Sequence, residues 1–254
     1  MSQAGWIARR SVRRTLRQPA LLIPTIVFPL FLMAVNASGL SAATKLPGFP
    51  TDNYLNFSLS VCFMQGALFA ATTAGTELAT DIESGFLNRL SLTPLRGVAV
   101  LVGQLAGAVL VSLIASVAYL GVGLTAGASM ESGPAGVLVL LVLATLIGVA
   151  FGALGLVMAL RTGSAEAVQG LFPLMFVLFF LSSLNLPRNL IQTDWFREIA
   201  TYNPFSYLVE GLRSLIISGW DGEALALGFG TGVVLSVAAF AIAVGSLRTR
   251  LTRT

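Results

Sequence analysis

A chain of 254 residues with 56% hydrophobic residues, 10% charged residues and a net charge of +4 carries too little polar surface for a water-soluble domain, in which about a quarter of residues are charged. Histidine is absent and Cys62 is the single cysteine, which removes the usual ligands of zinc, haem and iron–sulfur centres and any intrachain disulfide. One membrane-embedded domain over 1–254 is expected, and a metal enzyme or a nucleic-acid binder is not.

The chain opens with GWIARRSVRRTLRQP. Ala8, Val12 and Leu16 fall along one helical edge with arginines around them, which predicts an interfacial helix over 1–19, anchored by Trp6 and ended at Pro19. A basic tail without fixed shape is the alternative. A helix crossing the hydrocarbon needs about 20 apolar residues, and six stretches qualify: Leu21–Leu40, Tyr54–Thr76, Val98–Ala126, Ala135–Leu160, Ala167–Leu184 and Ala224–Leu247. The first begins too far in and runs too long for a cleavable signal. Six spans put both termini on one side. Arginines 9, 10, 13, 14, 17, 89, 96, 161, 248, 250 and 253 fall on that side, and only Lys45, Arg188, Arg197 and Arg213 on the other. Since Lys- and Arg-rich loops stay inside, both termini are expected in the cytoplasm.

Two connections are more than loops. In 77–97, Ile82, Phe86, Leu87 and Leu90 share one helical face, and Pro94 ends the segment. An amphipathic cytoplasmic helix follows, and periodicity alone leaves open whether it lies on lipid or docks into a protein groove. In 185–223, Asn203 suits an N-cap with Pro204 at the first helical position, so 205–217 reads as a re-entrant or interfacial external helix, or as an ordinary loop helix. Glu210 and Arg213, three apart, are expected to pair. Within the spans, Asn36, Gln65, Thr72 and Thr73 are costly in lipid, and they either line a path or bond to neighbouring helices. Gly103 and Gly107 on the third span, with Gly148, Gly152 and Gly155 on the fourth, allow close helix approach.

Together the basic helix, the six spans, ESGFLNRLSLTPLRG and NPFSYLVEGLRSLI resemble the membrane subunit of type-2 ABC exporters, the drug-resistance branch in particular. The acidic-Gly…Leu…TP pattern falls on Glu83, Gly85, Leu90, Thr93 and Pro94. The resemblance implies a coupling helix over about 81–92 that carries Asp81, Ile82, Glu83, Gly85, Phe86, Leu87 and Leu90 and docks on an ATPase. It implies a connecting helix at the N-terminus and an external gate at Asn203, Pro204, Glu210 and Arg213. It also implies a second permease copy, identical or not, and two cytoplasmic ATPase subunits that bind ATP and Mg, in a bacterial plasma membrane. This chain has no GxxxxGK[ST] loop and so no phosphate cradle of its own. The expected function is export of a hydrophobic or amphiphilic substrate, such as a drug, lipid or glycolipid. An ion-gradient-driven transporter is the rival, and it would call for midplane charges and inverted repeats.

Overall fold

The computed structural model describes residues 3–91 and 97–251, and these form an all-helical bundle. In chain order the helices are α1 (Gln3–Leu16), α2 (Pro19–Gly39), α3 (Tyr54–Glu83), α4 (Phe86–Ser91), α5 (Gly97–Thr125), α6 (Gly133–Thr162), α7 (Ala165–Gln169), α8 (Leu171–Phe180), α9 (Asp194–Tyr202), α10 (Pro204–Ile217) and α11 (Gly222–Leu251). Short 3₁₀ turns lie at Ser41–Lys45, between α2 and α3, and at Arg188–Leu190, between α8 and α9.

Five of these helices, α2, α3, α5, α6 and α11, are long and apolar enough to cross a bilayer. The stretch expected as the fifth span is instead broken into α7 and α8, with 165–180 as a shorter apolar segment. The cause is local. Pro173 has no N–H and its ring crowds the carbonyl four residues back, that of Gln169, so the helix ends there and restarts after Gly170. The same chemistry acts in α2, where Pro24 and Pro29 lie inside the helix. Pro29 leaves the Thr25 carbonyl without a helical donor, and the Tyr119 hydroxyl of α5 supplies one at 2.5 Å. The Cys62 thiol, buried in α3, reaches the Pro29 carbonyl at 3.5 Å.

α3 is the axis of the bundle. Its start is fixed by Asn53, whose side-chain oxygen accepts from the Leu55 N–H at 2.9 Å, and it is buried along most of its length against α2, α5 and α6. Glycines set its closest approach. A Cβ on Gly155 of α6 would collide with the Ala71 carbonyl of α3, and one on Gly75 would meet the Gly155 carbonyl. Gly148 seats Ser112 of α5 and Gly152 seats Ala108, so these glycines serve helix packing. Gly103 and Gly107 of α5 seat Ile7 and Ser11 of α1.

α1 therefore docks by a different face from the expected one. Ser11 and Thr15 are buried, whereas Leu16 is exposed. α1 and the last turns of α11 lie at the same end of the bundle, both against the first half of α5. There Gly97 packs on Leu247 of α11, and Arg250 of α11 donates to the Leu160 carbonyl of α6 at 2.9 Å. At the opposite end Asn56 exchanges two hydrogen bonds with Ser129 (2.9 and 3.0 Å), and the Ser132 hydroxyl donates to the Leu215 carbonyl at 2.6 Å.

Because the atom opposing a new Cβ at position 155 is backbone, side-chain repacking cannot absorb it. Gly155→Val should cost about 3 kcal/mol and lower the midpoint of thermal unfolding in detergent, whereas Gly121→Ala, which meets open space inside α5, should not lower it.

Candidate functional site

At the end that holds α1 and the last turns of α11, the last two turns of α3 hold a polar network. The Asp81 carboxylate accepts from Arg10 at 2.8 Å through both oxygens, from Arg14 at 3.3 Å and from the Gln104 amide at 2.8 Å. One turn back, Glu77 accepts from the Ser11 hydroxyl at 2.9 Å and from Thr15 at 3.2 Å. The fork of Arg10 matches a carboxylate bidentately, and its hydrogen bonds to Asp81 hold its guanidinium above the ordinary value against the opposing pull of burial. Among the expected coupling residues, Asp81 is thus turned inward, 4% exposed and occupied by α1 and α5. It belongs with Ile82 to α3, which runs on to Glu83, and not to the loop helix.

The loop helix is α4, six residues long. Gly85 breaks it from α3 in the left-handed region at φ +68, a conformation that a side chain would oppose. Phe86 opens α4 with its ring 4.2 Å from the Arg10 guanidinium carbon, and Leu87 is buried in the core. Leu90 has its backbone in α4 and its side chain outside the described residues, as are Thr93 and Pro94 entirely. Glu83 reaches sideways and accepts from the Ala165 N–H of α7 at 2.9 Å. The acidic tail of α3 is therefore joined to α1 by Asp81 and to α7 by Glu83.

These two joints matter for what lies above them. α1 leads through Pro19 into α2, and α7 leads into α8. Between α2 and α8, on the face of α3, lies a cavity of about 450 Å³ lined by Ala20 and Pro24, by Phe69, Thr72, Thr73 and Thr76, and by Gln169, Phe172 and Pro173. Phe69 and Phe172 pack with ring centres 5.4 Å apart. Of the expected path residues, Thr72 and Thr73 line this cavity. Gln65 is buried further along α3 with its side-chain oxygen unpartnered, and Asn36 lies near the far end of α2. Pro24 and Pro173 each remove the donor for a carbonyl four residues back, and those carbonyls belong to Ala20 and Gln169, both at the cavity.

At the opposite end, α10 is buried within the bundle. Asn203 caps it, accepting from the Phe205 N–H at 2.9 Å, with Pro204 in its first turn. The expected pairing of Glu210 with Arg213 does not form. Glu210 takes Arg188 at 2.7 and 2.8 Å and the Ser183 hydroxyl at 2.6 Å. Arg213 donates to the Ser183 and Leu184 carbonyls at 3.1 and 2.9 Å and lies 3.7 Å from the centre of the Phe57 ring. The cause is the end of α8, which leaves carbonyls open. Asn203 satisfies those of Leu178 and Leu181 at 2.8 and 3.1 Å, and Ser206 accepts from the Ser183 N–H at 2.9 Å. Asn203, Ser206, Glu210 and Arg213 form one helical stripe that receives the end of α8.

Sequence reasoning missed Ser11, Thr15, Glu77 and Gln104 at one end and Ser183, Ser206 and Arg188 at the other. The first group left a signal. Arg10 and Arg14 are spaced four apart, as are Glu77 and Asp81, and such pairs on two helices match. Arg188 left none, since its partner is 22 residues away.

Removing a buried carboxylate whose cationic partners are part-exposed costs about 2 kcal/mol. Asp81→Ala should lower thermal stability by about that amount and detach α1, read as faster proteolysis after Arg13 or Arg17. Arg197→Ala, whose ion pair with Asp194 is exposed, should change neither.

A sequence model of the family described as ABC-2 type transporter matches residues 2–217. A daunorubicin resistance ABC transporter permease protein of Streptomyces coeruleorubidus is 30% identical over 241 residues, covering 89% of this chain and 77% of the relative. A putative transport permease of Pyropia yezoensis is 30% identical over 222 residues, with coverage of 84% and 73%. A probable doxorubicin resistance ABC transporter permease protein of Mycobacterium tuberculosis is 25% identical over 157 residues, covering 60% of this chain and 56% of its own length. The chain belongs to the ABC-2 type transporter family.

Proposed function

We propose that this chain is the permease subunit of an ATP-driven exporter and that its substrate is an amphiphile carrying hydrogen-bond donors. The observation that carries the reading is the cavity between α2, α3 and α8. It offers two aromatic rings and three threonines, with Ala20 and Gln169, whose carbonyls Pro24 and Pro173 release, among its lining residues, and no charged side chain among the described residues lines it. Such a wall suits an apolar body bearing hydroxyl or ammonium groups, and the drug-resistance names of two relatives fit that class.

Two cytoplasmic ATPase subunits that bind ATP and Mg, together with a second permease copy, would complete the transporter. α7 and α8, with the turn at 181–184, make the sixth crossing in this reading, and the end of the bundle that holds α1 faces the cytoplasm of a bacterium. α4 docks on the ATPase. A shift of α4 about Gly85 pulls the tail of α3, and Asp81 and Glu83 divide that pull between the two walls of the cavity. The stripe on α10 holds the external end of α8, so that α8 tilts about Asn203 and Arg213. A ligand that favours one of two such arrangements drives the exchange of access.

Phe86→Ala removes the ring on which Arg10 rests and the apolar side of α4. A loss of about 1–2 kcal/mol at such a contact should cut substrate efflux per ATP hydrolysed by about tenfold in proteoliposomes containing the permease and its ATPase, with the protein amount in the membrane unchanged. Efflux at the wild-type ratio would refute the docking of α4. Efflux that follows an imposed ion gradient without ATP would refute the exporter reading itself.

A further inference from the structure

We propose that the groove between the C-terminal ends of α6 and α11 binds the phosphate of an anionic membrane phospholipid. It encloses about 710 Å³ between Leu160 and Arg161 on one helix and Ile242, Gly245, Ser246, Thr249 and Arg250 on the other. Two arginines and two hydroxyl-bearing residues line it, and among the described residues no carboxylate does.

A helix C-terminus ordinarily repels an anion, because its last carbonyls carry partial negative charge. Here two of the last carbonyls of α6 are engaged. Arg250 donates to Leu160 at 2.9 Å, and the Gly163 N–H donates to Ala159 at 2.8 Å. The bond to Leu160 also fixes the Arg250 guanidinium at the groove, against Gly163. Arg161 is exposed and lines the same groove, and guanidinium groups match phosphate oxygens in geometry as well as charge.

The remaining lining selects a lipid over a free anion. Leu160 and Ile242 make the floor apolar. On α11, Val234, Ala238 and Ile242 fall at successive steps of four and are all exposed, so an apolar track runs along the helix and ends beneath the arginines. A Cβ at Gly245 would meet nothing within 4 Å, which leaves the path from track to groove open. A headgroup between the arginines with an acyl chain on the track satisfies both halves of the surface. Basic pockets between membrane helices near the bilayer surface bind acidic headgroups in this way.

The test uses the full chain purified in mild detergent, with retention of added lipid read by native mass spectrometry. Phosphatidylglycerol, phosphatidylcholine and inorganic phosphate are compared at equal concentration. Phosphatidylglycerol should be retained in preference to both, and Arg161→Gln should weaken its retention about fivefold, the worth of one arginine near an anionic headgroup. Gly245→Leu, which fills the path and leaves the charge unchanged, should weaken it comparably. Arg13→Gln, on the exposed side of α1, should not. Equal retention of the two lipids, or wild-type retention by both Arg161→Gln and Gly245→Leu, would overturn the proposal. Inorganic phosphate competing as well as the lipid would show a bare anion site and overturn it equally.

Discussion

Hydrocarbon offers no hydrogen-bond partner, so every backbone group that a helix releases inside the bilayer has to be met by the protein itself. The architecture of this chain follows from how it meets that demand at its breaks. Pro29 frees a carbonyl in α2, and a tyrosine hydroxyl on α5 takes it. The end of α8 frees several, and α10 folds back into the bundle with Asn203 and Arg213 to receive them. A buried guanidinium is costly unless its donors are used, and Arg213 gives one donor to each of two open carbonyls while its Nε stays without a partner. α10 in this sense completes the end of α8.

The same logic governs the opposite end. Two carboxylates on the last turns of α3 would be prohibitive in lipid, and α1 supplies two arginines and two hydroxyls to them. An amphipathic helix that merely floated at the interface would turn its apolar edge inward. This one turns its polar edge inward onto α3 and α5, with glycines on α5 shaped to admit it. The segment that reads most like a membrane-surface anchor is thereby a structural member of the bundle.

Much of this was legible in advance. The apolar runs located α2, α3, α5, α6 and α11 because length and hydropathy alone decide those elements, and the Asn203–Pro204 cap located α10. Three features were not. The break at Gln169–Gly170 lies inside a run whose composition is uniformly apolar, and only the position of Pro173 hints at it. The boundary between α3 and α4 was misplaced because Asp81 and Ile82 keep the helical period up to the break, and the conformation of Gly85 ends it. The partner of Glu210 was misjudged because spacing along one helix cannot foresee a cation arriving from another segment. Local pattern reports which residues share a face, and tertiary contact decides what meets that face.

The burial of α3 has a consequence for how such a chain enters the membrane at all. Among the long helices it is the least apolar, bearing Asn56, Gln65, Glu77 and Asp81, and yet it is the most enclosed. A segment of that kind gains little from partitioning alone, and the partners of its polar groups lie on α1, made before it, and on α5 and the turn that follows α5, made after it. Those hydrogen bonds are complete only once α5 and the turn after it have emerged, so that for this helix settling in the membrane and folding are coupled.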